Sequence, residues 1–357
     1  FLQFTNKFLH CDDASLVQLS LTSLGQICSS CNTNLLYYLL NVQKTVSIVQ
    51  SFEKLILCQD EKILQTLAKC LFSISMRDLN FLTHQIMRNS TLLNEIISLA
   101  TSVEVSNEEP TNHHSYFVQT QYMNVLYLIV LHSEPISVQL MQNPKINLLS
   151  CISAWLQLVT SSRPITFLQV TFSALQLLYG LCQHGPSTQK LVIDFYTKQK
   201  KKSADSLLFQ QLRRLTFISM SPLLRYYSLL TWDTFVNGGS FKRFVTKNEQ
   251  LINVLMFVLK EEQEVVIQRL AVQMIRQLCR TSPIRIGGVS QEDSQYELLL
   301  LLNHFNLLFE ALEILRYYMT FLTSHFEQQR KTPSPNTSTM EDREKYVSDC
   351  IQLVISL

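Results

Sequence analysis

Glycine is scarce in this chain, with 7 residues in 357. Turns and strand bends that need a positive φ therefore have little to draw on, which argues against a β-rich architecture. Charge is scarce too. Asp, Glu, Lys and Arg make up only 16% of the residues, and the formal net charge is +2. No global field draws such a chain to nucleic acid or to an anionic membrane, so binding of that kind would have to be local. A clean apolar run of membrane-spanning length is also missing. The greasiest segment, 298–315, contains Asn303, His304, Asn306, Glu310 and Glu313, which are costly in lipid, and it reads as a core helix. Gly-x-Ser-x-Gly, Gly-x-x-x-x-Gly-Lys and Gly-x-Gly-x-x-Gly are all absent, so neither a nucleophile elbow nor a phosphate loop is present. The pairs Gly238-Gly239 and Gly287-Gly288 read as turns. No enzyme activity and no cofactor are expected.

What the chain has is apolar residues, 46% of the total, at three- and four-residue spacings rather than in alternation, so it reads as all-α. Five helices are anchored by an apolar residue followed by glutamine: Val17-Gln18, Leu64-Gln65, Val118-Gln119, Leu168-Gln169 and Ile267-Gln268. Three residues beyond each glutamine stand Leu21, Ala68, Tyr122, Phe172 and Ala271; six beyond stand Leu24, Leu71, Val125, Leu175 and Met274. Ile27, Ile74, Leu128, Leu178 and Leu278 complete a stripe that a 3.6-residue helix can bury. Each stripe ends in turn residues, among them Ser29-Ser30, Arg77-Asp78, Ser133-Glu134-Pro135 and His184-Gly185-Pro186.

Shorter helical stretches follow each stop, for example 79–87 then 91–100, and 136–141 then 146–159. A degenerate unit with its long helix at 224–235 lies before the last anchor, giving about six units. Anchor separations of 47, 54 and 50 residues, then 99 across two units, leave room for insertions. Loops are expected at 103–115, 198–205 and 287–295 within a repeat domain covering 1–330, followed by a flexible Ser/Thr/Pro linker at 331–344. Residues 345–357 read as the start of a further helix. The opening at Phe1 and the apolar run at 351–357 are the pattern expected of a piece cut from a longer protein.

Apolar-Gln, a small or apolar third position, a Leu-rich stripe, a polar stop and two further helices together resemble the armadillo/HEAT-type repeat superfamily over roughly residues 12 to 302. The resemblance implies a right-handed α-solenoid whose long helices line a groove that holds segments of partner proteins. One feature departs from it. Importin-α-like members carry Trp-x-x-x-Asn ladders, whereas Trp155 is followed at the fourth place by Val159 and Trp232 by Val236. That counts against a nuclear-import-receptor role of that type. The candidate partner-binding residues on the long helices are Lys69, Ser73, Asn124, Tyr127, Gln273 and Arg276, a mostly neutral set.

Other clusters have a plainer explanation beside the functional one. Cys28-x-x-Cys31 lacks a second ligand pair for zinc and a preceding strand for redox chemistry, so it reads as the end of a helix. His113-His114, near Glu108 and Glu109, reads as a solvated loop rather than a metal site. The nine cysteines are scattered and several sit in apolar helix faces, which suits reduced thiols and a cytoplasmic or nuclear compartment. The basic stretch Lys198, Lys200, Lys201, Lys202 with Arg213 and Arg214 is a solvated loop or a patch for an acidic partner or phosphate. Thr332-Pro333 and Ser334-Pro335 suit proline-directed phosphorylation.

The leading expectation is a non-enzymatic scaffold for other proteins. Two alternatives stay open: a nucleic-acid-associated repeat protein using Lys198 to Arg214, and a structural subunit that self-associates through 297–326.

Overall fold

The structure is a computed structural model describing residues 8–30, 48–79, 81–101, 113–157, 165–199, 207–218, 221–237, 254–255, 257–259, 262 and 264–279. Expectations for Cys31, Lys200, Lys201, Lys202, Thr332, Ser334, 287–295 and 297–357 lie outside these residues. Among them every regular element is helical. In chain order the elements are α1 (Ala14–Ser30), α2 (Ile48–Leu55), α3 (Glu61–Arg77), a π-helical turn (Phe81–Ile86), α4 (Ser90–Thr101), α5 (His113–His132) and α6 (Glu134–Gln142). They continue with α7 (Leu148–Gln157), α8 (Ile165–Cys182), α9 (Pro186–Gln199), α10 (Leu207–Ile218), α11 (Pro222–Asn237) and α12 (Val265–Cys279). All five apolar-Gln anchors fall in long helices: α1, α3, α5, α8 and α12.

The chain divides into two compact units, Phe1–Lys202 and Ser203–Leu357. In the first, the long helices form a row: α1 packs on α3, α3 on α5, and α5 on α8. The shorter helices back this row, with α4 against α5, α7 against α8, α2 against α3 and α4, and α6 against α9. In the second unit α10 packs on α11 and α11 on α12. There Phe209 stacks on Trp232 at 4.6 Å between centroids and meets Phe235 edge-on at 5.5 Å.

Local chemistry sets the helix starts. Asp13 Oδ1 accepts from the Ser15 amide (2.8 Å) at α1, and Asp60 Oδ1 from Lys62 and Ile63 (2.8 and 3.1 Å) at α3. Asn89 Oδ1 accepts from Leu92 at α4 (3.0 Å), and Asn89 Nδ2 donates to Glu53 of α2. Such caps each stabilise a helix by about 1 kcal/mol.

The helix ends use a different device, forced by the shortage of glycine. Only one glycine has positive φ among the described residues, Gly185 at 101°, which turns α8 into α9 ahead of Pro186. At four helix ends, that of α8 included, last-turn carbonyls, which have no intrahelical partner, accept from buried side chains on later helices. Gln119 Nε2 of α5 donates to Ala100 O at the end of α4 (3.1 Å). Ser137 Oγ of α6 donates to Val130 O at the end of α5 (3.0 Å), where His184 Nε2 also bonds. Thr171 Oγ1 of α8 donates to Trp155 O near the end of α7 (3.1 Å), and Gln189 Nε2 of α9 to Cys182 O of α8 (3.1 Å). These four bonds couple α4, α5, α7 and α8 to the elements that follow them.

The structure corrects several local expectations. The stretch after α3 forms a π-helical turn rather than a helix spanning 79–87. His113 and His114 open α5 instead of lying in a loop, and α9 continues to Gln199, so Lys198 is helical. Along the expected buried stripe, Leu21, Leu24, Ala68, Leu71, Ile74, Tyr122 and Val125 are buried, but Ile27 and Phe172 are only half-buried. Beside Ile27, it is Cys28 that points into the core. On α8 the anchor Gln169 is exposed, and Val170, Ala174, Leu177, Leu178 and Leu181 do the packing.

Candidate functional site

Burial leaves each long helix of the first unit one narrow solvent stripe at three- and four-residue steps. On α1 it is Ser15, Leu19, Thr22 and Gln26, all exposed. On α3 it is Lys62, Thr66, Lys69, Ser73 and Met76, with Phe72 half-buried beside them. On α5 only Gln121, Asn124 and Tyr127 break an otherwise buried run from Val118 to Val130, which half-buried Phe117 and Leu131 flank. On α8 the stripe is Gln169, Phe172, Gln176 and Tyr179, with Gln183 exposed just past the helix end.

Of the six candidate residues, Lys69 and Ser73 lie on the solvent stripe of α3 and Asn124 and Tyr127 on that of α5, two helices that pack on one another. Gln273 is half-buried on α12 in the second unit, and Arg276 lies on α12 with its side chain outside the description. The α8 stripe was missed because that helix carries no charge to mark its wet side. Its spacing, Gln169, Phe172, Gln176, Tyr179, Gln183, was the available signal.

Two contacts hold this face in place. Asn124 Oδ1 accepts from Ser173 Oγ at 2.7 Å, tying α5 to α8 midway along both. Farther on, α8 comes so near α5 at Gly180 that a Cβ there would sit 3.0 Å from Val130 Cγ2 and 3.1 Å from Tyr127 Cδ2. Because 124 meets 173 and 127–130 meet 180, the two helices run parallel, and the Tyr127 ring lies over a gap that only glycine leaves open.

The face is poor in charge. None of the residues of α1, α5 or α8 is Asp, Glu, Lys or Arg; on α3 the charged residues are Glu61, Lys62, Lys69 and Arg77. Amides, hydroxyls and half-buried aromatics occupy the remainder, with Leu19 63% and Met76 59% exposed. Charge depletion with aromatic and methionine enrichment is the composition of an interface centre, not of an ordinary wet surface.

No reactive centre competes with it among the described residues. No group of three His, Cys, Asp or Glu there is placed to hold a metal ion. Cys11, Cys28, Cys58, Cys70, Cys151 and Cys182 take part in no disulfide. Burial pushes the Cys151 thiol up to about 11, and the Cys70 thiol and Tyr122 phenol higher still, so these groups stay neutral near pH 7. His10 Nε2 lies 3.2 Å from Ser51 Oγ, but Ser51 is fully buried. In the basic region, Arg213 is exposed on α10 with its guanidinium 5.4 Å from the Phe217 ring centroid, and Arg214 is half-buried. No helix of the described residues is long and apolar enough to cross a membrane.

A row of long helices backed by shorter ones, each step repeating the last, defines the fold as a helical repeat of the HEAT/armadillo type. No family model matches the chain, and no curated protein does. Solved structures do. An engineered protein's crystal structure aligns with a TM-score of 0.57 at 15% identity, covering 78% of this chain and 98% of that one. Yeast importin-beta aligns with a TM-score of 0.56 at 12% identity, and a crystal structure of importin beta in polyethylene glycol with 0.51 at 14%. Each covers 99% of this chain, which spans 40% and 42% of those proteins. At these identities the likeness is one of fold.

Proposed function

We propose that the chain is a non-enzymatic interaction scaffold that seats a segment of a partner protein on the solvent side of α1, α3, α5 and α8. The observation that carries this reading is the charge-poor, aromatic-bearing face those four helices share. An ordinary exposed helix face keeps charged residues for solubility, and their absence from three of the four helices of this row makes sense if a partner covers them. The repeat fold supports the reading, since stacked repeats offer extended binding surfaces. Reduced cysteines at Cys11, Cys28, Cys58, Cys70, Cys151 and Cys182 suit work in the cytoplasm or nucleus.

Photo-crosslinking in cell extract tests it. Benzoylphenylalanine in place of Tyr127 on the face should capture one or more proteins that the same group in place of exposed Asp194 on α9 does not. Identical captures from both positions, or none from position 127, would remove the basis for the assignment.

A further inference from the structure

We infer that α10 of the second unit carries a binding site for single-stranded nucleic acid, in which a base lies against the Phe217 and Phe257 rings and Arg213 and Arg214 meet the phosphates beside it. The sequence shows only part of this cluster. Arg213 and Arg214 end the basic stretch, with Phe217 one turn further on, but Phe257 lies far along the chain. The fold brings it in. Phe217 and Phe257 meet at 4.5 Å between ring centroids, tilted by 52°, and the Arg213 guanidinium carbon lies over the Phe217 ring at 5.4 Å. Both rings are half-buried, so part of each stays open to solvent.

Among the described side chains of α10, Gln210, Arg213, Arg214 and Phe217 are the ones that reach solvent, and their spacing sets them on one stripe. Leu208, Phe209, Gln211, Leu212, Leu215 and Thr216 are buried behind it. The helix has no Asp or Glu, and neither arginine is in an ion pair among the described residues. Of the described acids of this unit, Glu262 is held by Arg225, Asp233 is half-buried on α11, and Glu264 is exposed ahead of α12. A phosphate approaching α10 thus meets two cations and no carboxylate of that helix. Stacking on Phe217 steadies the Arg213 guanidinium and leaves its N–H edge for phosphate oxygens. A carboxylate would use the arginines and leave the rings uncovered, whereas a nucleotide offers a flat base and a phosphate together. Only a single strand presents its bases for such stacking. Two arginines also fall short of the four or so cations by which a segment holds an anionic membrane.

Fluorescence anisotropy of the full chain with a fluorescein-labelled oligothymidylate of about ten nucleotides tests the inference. Saturable binding is expected at low salt, with a Kd on the order of 10 μM, and weaker binding to a duplex of the same length. Phe217→Leu should lower the affinity on the order of tenfold, as loss of one stacked base does, without changing the salt dependence, and Phe217→Trp should keep it. Arg214→Gln should instead reduce the slope of log K against log salt by about 0.7, one phosphate contact of a single strand. Retained far-UV circular dichroism would show that the variants fold.

No binding at about 100 μM protein in low salt would overturn the inference. Binding untouched by Phe217→Leu but lost when Lys200, Lys201 and Lys202 become Gln would overturn it in favour of the basic stretch alone. Displacement of the oligonucleotide by an equal concentration of polyglutamate of the same length would overturn it in favour of an acidic peptide. Each of these outcomes leaves the scaffold reading standing, since the crosslink from position 127 reports on a helix of the other unit.

Discussion

Replacing Gly25 and Gly180 by alanine separates two roles for glycine within one row of helices. Both residues are helical, so each alanine gains about 1 kcal/mol of helix propensity. At Gly25 of α1 the new Cβ would lie 3.5 Å from Cys70 Cα, 3.8 Å from Cys70 Cβ and 3.9 Å from Cys70 Sγ, all ordinary contacts. Gly25→Ala should therefore stabilise the first unit by about 0.5–1 kcal/mol. At Gly180 the new Cβ would press on Val130 Cγ2 at 3.0 Å and Tyr127 Cδ2 at 3.1 Å, each of which must move by a few tenths of an ångström. Overpacking of that kind costs about 1–3 kcal/mol, which cancels or exceeds the propensity gain. The two variants should differ by about 1–3 kcal/mol in urea unfolding followed by circular dichroism, at unchanged m-value. Gly180→Ala should also shift the Tyr127 ring and alter binding to the face, whereas Gly25→Ala leaves binding alone. Equal stability of the two variants, or a more stable Gly180→Ala, would refute the close approach of α8 to α5.

The other tests address the links between helices and the chemistry of the buried groups. Thr171→Val removes the hydroxyl that serves Trp155 O while keeping the shape of the fully buried side chain, and should cost about 1–2 kcal/mol in the same unfolding assay; a loss too small to measure would mean the carbonyl finds another donor. In the second unit Arg225 holds Glu262 in a two-point contact, Nε to Oε2 at 2.5 Å and Nη2 to Oε1 at 2.9 Å. Glu262 is 4% exposed, so Arg225→Met should destabilise by about 3–5 kcal/mol; Arg225→Met with Glu262→Gln should recover a good part, and a double variant worse than the single would contradict this. Iodoacetamide at pH 8 should label exposed Cys11 in the native chain and reach buried Cys70 only after unfolding, as read by peptide mass mapping. Because the folded Cys151 thiol holds its proton to about pH 11 against an ordinary 9.0, its contribution is present below pH 9 and is lost as the pH rises through about 11.

The sequence pattern located the long helices because their stripes are local. Gln18, Gln65, Gln119, Gln169 and Gln268 each sit on one, and the stops at Ser29-Ser30, Arg77-Asp78 and His184-Gly185-Pro186 coincide with helix ends. Rotation about the helix axis was harder to read. In α8 almost every side is apolar, so nothing in its composition says that Phe172 and Tyr179 edge into solvent while Ala174 and Leu177 pack; the choice is made by α5 through Asn124–Ser173 and Gly180. The same limit hid half of the candidate face. Lys69, Ser73, Asn124 and Tyr127 stood out as polar or amphipathic residues on expected helices, but Phe172 fell in the expected buried stripe. The π-helical turn at Phe81–Ile86 depends on packing against α3, α4 and α5 and left no local signature.

The two scarcities of the sequence bear on one another. With few glycines to close helices by themselves, the chain closes α4, α5, α7 and α8 with side chains from the next elements, Gln119, Ser137, Thr171 and Gln189. α5 and α8 therefore cannot turn about their axes without stranding Ala100 O and Trp155 O, at a cost of about 1–3 kcal/mol for each bond lost. That fixes which residues reach solvent on α5 and α8 even though both helices are apolar nearly all round. Fixed stripes matter because the face has almost no charge to attract a partner from a distance, and its selectivity must come from short-range fit and from penalties on misplaced charge. Recognition of that kind needs side chains already held in position, since each one ordered on binding would subtract about 0.5–1.5 kcal/mol from the affinity. The bonds that compensate for missing glycine thus also provide the rigidity that a charge-poor face requires.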